Sequence, residues 1–201
     1  PAAILPAPPE NLICDADLIV DRAQLGAALI DICLKIENAR DLRAAVVELL
    51  RESQKNGRAA IQKAFEEQPF SARPMTRAYT WLTDCLVNST HYVATQALHP
   101  LPNPTEGERV ALFAVGGYGR GEMAPQSDVD LLFLTPYKIT AWAESVIESM
   151  LYILWDLRLK VGHSSRTVRD CIRLGGEDFT IRTALLEQRF LAGFEPLSKD
   201  L

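Results

Sequence analysis

Histidine is scarce in this 201-residue chain, with three in all, and none of the four cysteines belongs to a Cys-x-x-Cys pair. His91, His99 and His163, together with Cys14, Cys33, Cys85 and Cys171, are scattered too widely for zinc-ligand spacing. The cysteines read as reduced, mostly buried thiols. A basic excess is also missing. The 26 acidic and 21 basic residues leave a formal net charge of −5, which argues against a surface that coats nucleic acid. A nucleotide remains compatible, because a bound metal supplies positive charge locally. No apolar run approaches the ~18 residues of a membrane span. The opening stretch "PAAILPAPPE" has no basic n-region, so no signal peptide is read and the cytoplasm is the expected compartment. The sequence has no initiator Met and stops abruptly at "GFEPLSKDL", which reads as a piece of a longer protein.

At 48% hydrophobic and 23% charged, the composition supports a globular chain of one or two domains with a sizeable core. Residues 1–10 are rich in Pro and Ala and read as irregular. Apolar residues recur at helical spacing over 23–36. Residues 41–66 read as one or two amphipathic helices with a possible interruption at Gly57, and 75–98 as another long helix. "HPLPNPTEGE", 99–108, breaks the pattern with three prolines in six residues. A boundary is placed there, with a helical region over 1–100 and a second domain over 101–201. Beyond it the spacing predicts strands at 109–115, 128–135 and 160–168, and helices at 141–159 and 177–193, the last with a glycine stop. The fold class is α+β.

The chemistry concentrates in "AVGGYGRGEMAPQSDVDLLFL", 114–134. On the strand predicted over 128–135, alternation points Asp128 and Asp130 the same way, roughly 6–7 Å apart. Two carboxylates so close repel unless a cation lies between them, and Mg²⁺ takes hard oxygen ligands of this kind. Gly116, Gly117, Gly119 and Gly121 surround Tyr118 and Arg120. Glycine lets the backbone approach a ligand, and successive N–H groups form an anion-binding concavity. Arg120 adds a guanidinium suited to phosphate. Two familiar glycine motifs fit poorly. A P-loop would need Lys where Glu122 stands, and Gly117, Gly119 and Gly121 give GxGxG rather than GxGxxG, followed by Pro125. The combination is more specific than its parts: phosphates held at the glycines, metal held by the aspartates a few ångströms away.

This order of Gly-Gly followed by Ser-Asp-x-Asp resembles the nucleotidyltransferase superfamily with the polymerase-β-type palm. More narrowly, "GGYGRGEMAPQSDVDLLFL", "LYILWDLRLKVGHSSRTVRDC" and "DFTIRTALLEQRFLAG" resemble, in that order, the family of bifunctional uridylyltransferase/uridylyl-removing enzymes that modify the PII nitrogen-signalling protein. The resemblance implies a small mixed sheet flanked by helices. It implies that Gly116 and Gly117 bind the triphosphate of UTP with Ser127 beside it, that Arg120 contacts phosphate or braces the loop, and that Asp128 and Asp130 hold Mg²⁺ in a two-metal mechanism. His163, Ser164 and Arg166 fall on the family's third strand in supporting positions; His163 reads equally as a packed, hydrogen-bonded histidine. The implied reaction moves UMP from UTP to a tyrosine of PII and releases pyrophosphate, in a bacterial enzyme of nitrogen regulation. The family's HD-type hydrolase and ACT domains have no counterpart in these residues. Many superfamily members carry a third carboxylate on the third strand, and "KVGHSSRTV" has none. Asp156, Asp178 or Glu187 are substitutes from helices, and Asp130 is the remaining base. Rival readings are an adenylyltransferase of the same fold and a non-catalytic domain that binds nucleotide or PII.

Overall fold

The computed structural model describes residues 4–103 and 105–199. The helical region builds from α1 (Ala16–Ile19), α2 (Arg22–Lys35), α3 (Ala39–Glu67) and α4 (Ala72–Val93), the last continuing into a π-helical turn at Ala94–Leu98. Polar side chains start three of these helices. Asp15, Asp21 and Asn38 accept hydrogen bonds from first-turn N–H groups, replacing partners that a helix start lacks. The expected interruption at Gly57 does not occur; α3 is one helix of 29 residues. Gly57 serves packing instead. A Cβ there would come within 2.7 Å of the Ile19 carbonyl oxygen and 2.9 Å of a Leu82 methyl, so its absence lets α3 close on α1 and α4.

After the proline-rich breaker come β1 (Ala111–Ala114), the short α5 (Gly116–Gly119), β2 (Val129–Thr135), α6 (Ala141–Asp156), β3 (Val161–Thr167), α7 (Val168–Glu177), α8 (Phe179–Leu186) and β4 (Arg189–Gly193). The strands form one mixed sheet in the order β3-β2-β1-β4. β1 pairs antiparallel with β2 and β4, and β2 pairs parallel with β3. The fold is α+β, a small mixed sheet flanked by helices, as the sequence predicts. Two elements differ from expectation. The helix read over 177–193 is α8 followed by strand β4, because the apolar run Phe190–Ala192 pairs along β1; Gly193, with φ +90°, ends a strand rather than a helix. Helix α7 was not expected. A capping box nucleates it: the Thr167 hydroxyl accepts from the Asp170 N–H while the Asp170 carboxylate accepts from the Thr167 N–H.

Strand alternation gives the sheet two working faces. Leu112, Ala114, Val129, Leu131 and Phe133 join the large core with the helical region and α6. Ala111, Phe113, Leu132 and Leu134 face the other way, toward Cys171 of α7 and Leu197. The large core therefore runs from Leu5 to Leu159, across residue 100.

One ion pair crosses the same divide. Arg189 of β4 donates from both terminal nitrogens to Asp84 of α4, at 2.8 and 3.0 Å. The Asp84 side chain is only 10% exposed. Burial pushes its carboxyl above the usual carboxylate range, and the bidentate guanidinium opposes that shift. Removing one partner strands a buried charge, whereas replacing both with apolar residues does not. Asp84→Ala is expected to cost about 3 kcal/mol and the double variant Asp84→Leu/Arg189→Met clearly less, read from urea midpoints.

His91, in the last turn of α4, titrates at about 4 because burial disfavours its charged form. Its unfolded value is near 6.5. The folded pKa is the lower one, so its stabilising contribution is present above about pH 6.5 and is lost as pH falls toward 4. Melting temperatures measured between pH 7.5 and 4 should therefore fall less steeply for His91→Gln than for the natural chain.

Candidate active site

Three chain segments meet at one end of the sheet: the turn after β1, the start of β2 and the start of β3. The turn after β1 is the glycine loop. Gly116 takes φ +59° and Gly121 φ +75°, conformations that favour glycine. Between them Gly119 lies so close to the chain at Glu187 that an added Cβ would collide with the Glu187 carbonyl oxygen. The loop ends on a second turn, where Ser127 Oγ accepts from the Ala124 N–H at 2.9 Å and Gln126 adopts φ +67°. The Ser127 hydroxyl thus braces the approach to β2.

Asp130 lies on β2, half-buried, on the same face as Leu132 and Leu134. Glycines flank its carboxylate on both sides. A Cβ on Gly116 would sit 3.5 Å from Asp130 Oδ2, and a Cβ on Gly162, its register partner on β3, would collide with Oδ1. Gly162 is therefore a site residue that sequence reasoning missed. Its signal is visible only in the pairing of β3 with β2. Asp128 is exposed and lies just before β2 rather than on it, so strand alternation does not fix its direction. The two carboxylates are nonetheless near neighbours. Burial first, and then the charge of Asp128, push the Asp130 carboxyl above its ordinary value.

Arg120 donates to Glu187 at 2.7 Å and to Glu122 at 3.3 Å, so its guanidinium ties the glycine loop to the turn between α8 and β4. That is the bracing alternative of its two expected roles. Of the residues expected on β3, the structure brings Ser164 and Arg166 onto the Asp130 face, paired in register with Leu132 and Leu134. His163 pairs with Leu131 and faces the other side of the sheet; it is exposed, and its ring makes no hydrogen bond among the described residues. It is neither at the site nor packed.

The candidates for a third carboxylate are accounted for elsewhere. Asp178 caps α8 by accepting from the Thr180 and Ile181 N–H groups. Asp156 is exposed at the last position of α6. Glu187 is near the loop but paired with Arg120. Among the described residues no three His, Cys, Asp or Glu side chains converge as a metal cage. The site offers two carboxylates, and among the described residues neither has an ion pair or a side-chain hydrogen bond. That donor set suits a hard cation completing its shell with water and phosphate oxygens, as Mg²⁺ does, and does not suit zinc.

The glycine loop and the half-buried aspartate both lie within residues 103–184, which match the nucleotidyltransferase domain family. The chain is 74% identical over 160 residues to a bifunctional uridylyltransferase/uridylyl-removing enzyme of Ruegeria pomeroyi, which covers 80% of this chain and 18% of that protein. Identity is 64% over 162 residues to a protein of the same name from Cereibacter sphaeroides, covering 81% and 17%. It is 49% over 180 residues to another from Caulobacter vibrioides, covering 90% and 19%. The chain belongs to the family of bifunctional uridylyltransferase/uridylyl-removing enzymes. It spans 17–19% of the length of these curated relatives. No helix among the described residues is long and apolar enough to cross a membrane.

The closeness of Gly162 to Asp130 is directly testable. Gly162→Ala should displace the Asp130 carboxylate while leaving the helical circular-dichroism signal unchanged. Carboxyl carbon NMR should then give a changed Asp130 titration midpoint.

Proposed function

We propose that this chain carries out nucleotidyl transfer, moving UMP from UTP to a tyrosine of the PII signalling protein, with residues 101–201 as the catalytic domain. The observation that carries the reading is the placement of the Asp130 carboxylate between Gly116 of the phosphate-type loop and Gly162. That arrangement leaves room for phosphate at the loop and for a cation at the carboxylates. The names of the relatives support the uridylyl group, and their family supports PII as acceptor, in the cytoplasm of a bacterium.

In this reading the N–H groups of Gly116 and Gly117 bind the triphosphate, because the first turn of α5 leaves such donors without intrahelical partners. Arg120 keeps the loop in place through Glu187. Ser127 holds the turn that delivers Asp128 and Asp130. These two carboxylates would hold Mg²⁺, which when bound neutralises phosphate charge and orients the reacting groups. The tyrosine oxygen attacks the α-phosphorus in line. The new bond is tyrosyl oxygen to phosphorus, the bond to the β-phosphate oxygen breaks, and pyrophosphate leaves. Asp130 is the site carboxylate that faces this position, so it takes the phenolic proton directly or through water. A phenol is acidic enough, with an ordinary pKa near 10, to need less help from a base than an aliphatic hydroxyl.

The absence of a carboxylate at the Asp130-facing positions of β3, namely Gly162, Ser164 and Arg166, favours a second reading: a domain that binds nucleotide without turning it over. One experiment separates the two. The chain is incubated with PII, Mg²⁺ and either UTP or ATP, and PII is weighed by intact mass spectrometry. The expected result is one uridylyl mass added with UTP and none with ATP. In Asp128→Ala/Asp130→Ala the rate should fall by a factor of about 10³ or more with the melting temperature preserved. UTP binding without any mass gain would favour the binding domain, and an adenylyl mass would favour an adenylyltransferase.

A further inference from the structure

We propose that the free edge of β3 receives an extended segment of the acceptor protein, which joins the sheet as a fifth strand and lays its tyrosine over Gly162 toward Asp130. The inference rests on the nucleotidyl-transfer reading and adds the acceptor's docking surface, which that reading leaves unassigned. β3 closes one side of the sheet and pairs only with β2. The Val129 N–H donates to the Lys160 carbonyl at 2.7 Å, and a parallel ladder begun in that phase engages the even-numbered residues of β3. The peptide groups of Val161, His163 and Ser165 therefore point away from the sheet, and among the described residues none of them has a hydrogen-bond partner on that side. A row of unpaired N–H and C=O groups is a template for another strand, and proteins often guard it with proline or a bulge. Val161–Thr167 contains no proline, and its register with β2 runs without a bulge.

The reaction geometry selects this edge. In-line displacement puts the attacking and leaving oxygens on opposite sides of the α-phosphorus. The triphosphate donors Gly116 and Gly117 follow β1, on one side of β2, and β3 lies on the other. The Asp130 carboxylate spans the two sides. Its Oδ2 lies toward Gly116, and its Oδ1 fills the place of the side chain that Gly162 lacks. Pyrophosphate departs on the loop side, so the phenolic oxygen arrives from the β3 side. Adjacent strands lie about 4.8 Å apart, so a fifth strand runs roughly 10 Å from β2, a gap that a tyrosine and the leaning aspartate close between them. Beyond Gly162 the same face is roofed, because a groove beside Ser164 and Arg166 lies beneath Ile181 and Leu185 of α8. The tyrosine thus has its opening at the Gly162 end of the edge.

Alternation defines the rest of the segment. Residues next to the tyrosine project to the opposite face, the one that His163 and Ser165 share with Leu131 and Phe133. A groove of about 340 Å³ opens there beside Ser165, with Ile139 and, from α6, Ile147, Leu151, Tyr152 and Trp155 in its walls. Its aromatic pair is left in the open: Tyr152 and Trp155 are 42% and 46% exposed and meet edge to face at 5.8 Å. Apolar side chains flanking the tyrosine cover them. In strand addition the main-chain hydrogen bonds give affinity and pockets for alternate side chains give specificity, and this edge offers both. The occupant is therefore an extended stretch whose tyrosine has apolar neighbours. Continuity of the edge with the Asp130 carboxylate selects the acceptor protein over a second copy of this chain.

The test joins residue-resolved hydrogen exchange to kinetics with PII, UTP and Mg²⁺. The Val161, His163 and Ser165 amides should exchange rapidly in the free chain and at least about 10-fold more slowly under saturating PII, while the even-numbered amides, already paired with β2, change little. Ser165→Pro removes an outward N–H and leaves the β2 ladder intact, a placement that an edge strand tolerates. It should raise KM for PII about 10-fold with kcat and UTP affinity little changed. Trp155→Ser, in the groove wall, should raise the same KM, and it keeps the test decisive if the proline variant folds poorly. Unchanged KM in both variants, or protection by PII confined to other segments, would overturn the inference while leaving nucleotidyl transfer intact. Weaker UTP binding in both variants would tie the edge to the nucleotide and overturn it. Protection without PII that grows with chain concentration would put a second copy on the edge and overturn it equally. The same protection in a chain extended to the length of its relatives would assign the edge to another segment of polypeptide, with the same consequence. Failure of the natural chain to transfer any uridylyl group to PII would instead remove the reading on which the inference rests.

Discussion

The bidentate pair between Asp84 and Arg189 is the contact on which the site's geometry depends. Asp84 belongs to α4 in the helical region, and Arg189 opens the edge strand β4. The same guanidinium donates to the Tyr118 carbonyl at 3.2 Å and lies 5.4 Å from the centre of the Tyr118 ring. Tyr118 is the one aromatic side chain inside the glycine loop and is almost wholly buried. Burial, and then the charge of Asp84, hold its phenol well above its ordinary pKa, so it stays neutral. A loop made of glycine has little intrinsic preference for one conformation. Here a buried aromatic anchors it, an arginine holds the anchor, and Asp84 of α4, 105 residues before that arginine, holds the arginine.

That arrangement gives the helical region a definite part in the site. Thr80, one turn before Asp84 on α4, accepts from the Met123 N–H at 3.2 Å, so α4 grips the loop at both ends. Below it, the sheet presents Leu112, Leu131 and Phe133 to the same core as Trp81 and Leu86. Continuous apolar burial on this face fixes strand register, because a slip by one residue would turn Leu131 out and Asp130 in. The direction of Asp130 is thus decided by the packing of residues on the other side of the sheet.

The opposite face carries the polar chemistry and the thinner cover. α7 and α8 pack there through Cys171 and Leu185, and their outer surfaces leave Ile172, Phe179 and Leu186 exposed. The groove holding Ser164 and Arg166 lies beneath α8. Arg120 and Glu187 link the glycine loop to the end of that helix.

Much of this was legible in the residues themselves. Short apolar runs ended by turn residues located the strands β1 and β2, and the glycines beside paired aspartates singled out 114–134, where the structure brings the glycine loop and the Asp130 carboxylate together. Local pattern misled where a distant partner decided the outcome. Phe190–Ala192 reads as helix until β1 offers it a ladder, and Gly57 reads as a break until Ile19 and Leu82 fill the space its missing side chain leaves. His163 and Arg166 look equally promising in "GHSSR", yet parallel pairing with β2 puts only Arg166 on the Asp130 face. By itself the sequence determined the fold class and the residue types of the site, since periodicity and side-chain chemistry are local properties. Only the tertiary structure decided that Gly162 makes room for Asp130, that Arg120 braces rather than stands free, and that Asp84 secures the loop, since each depends on register and packing between segments far apart in the chain.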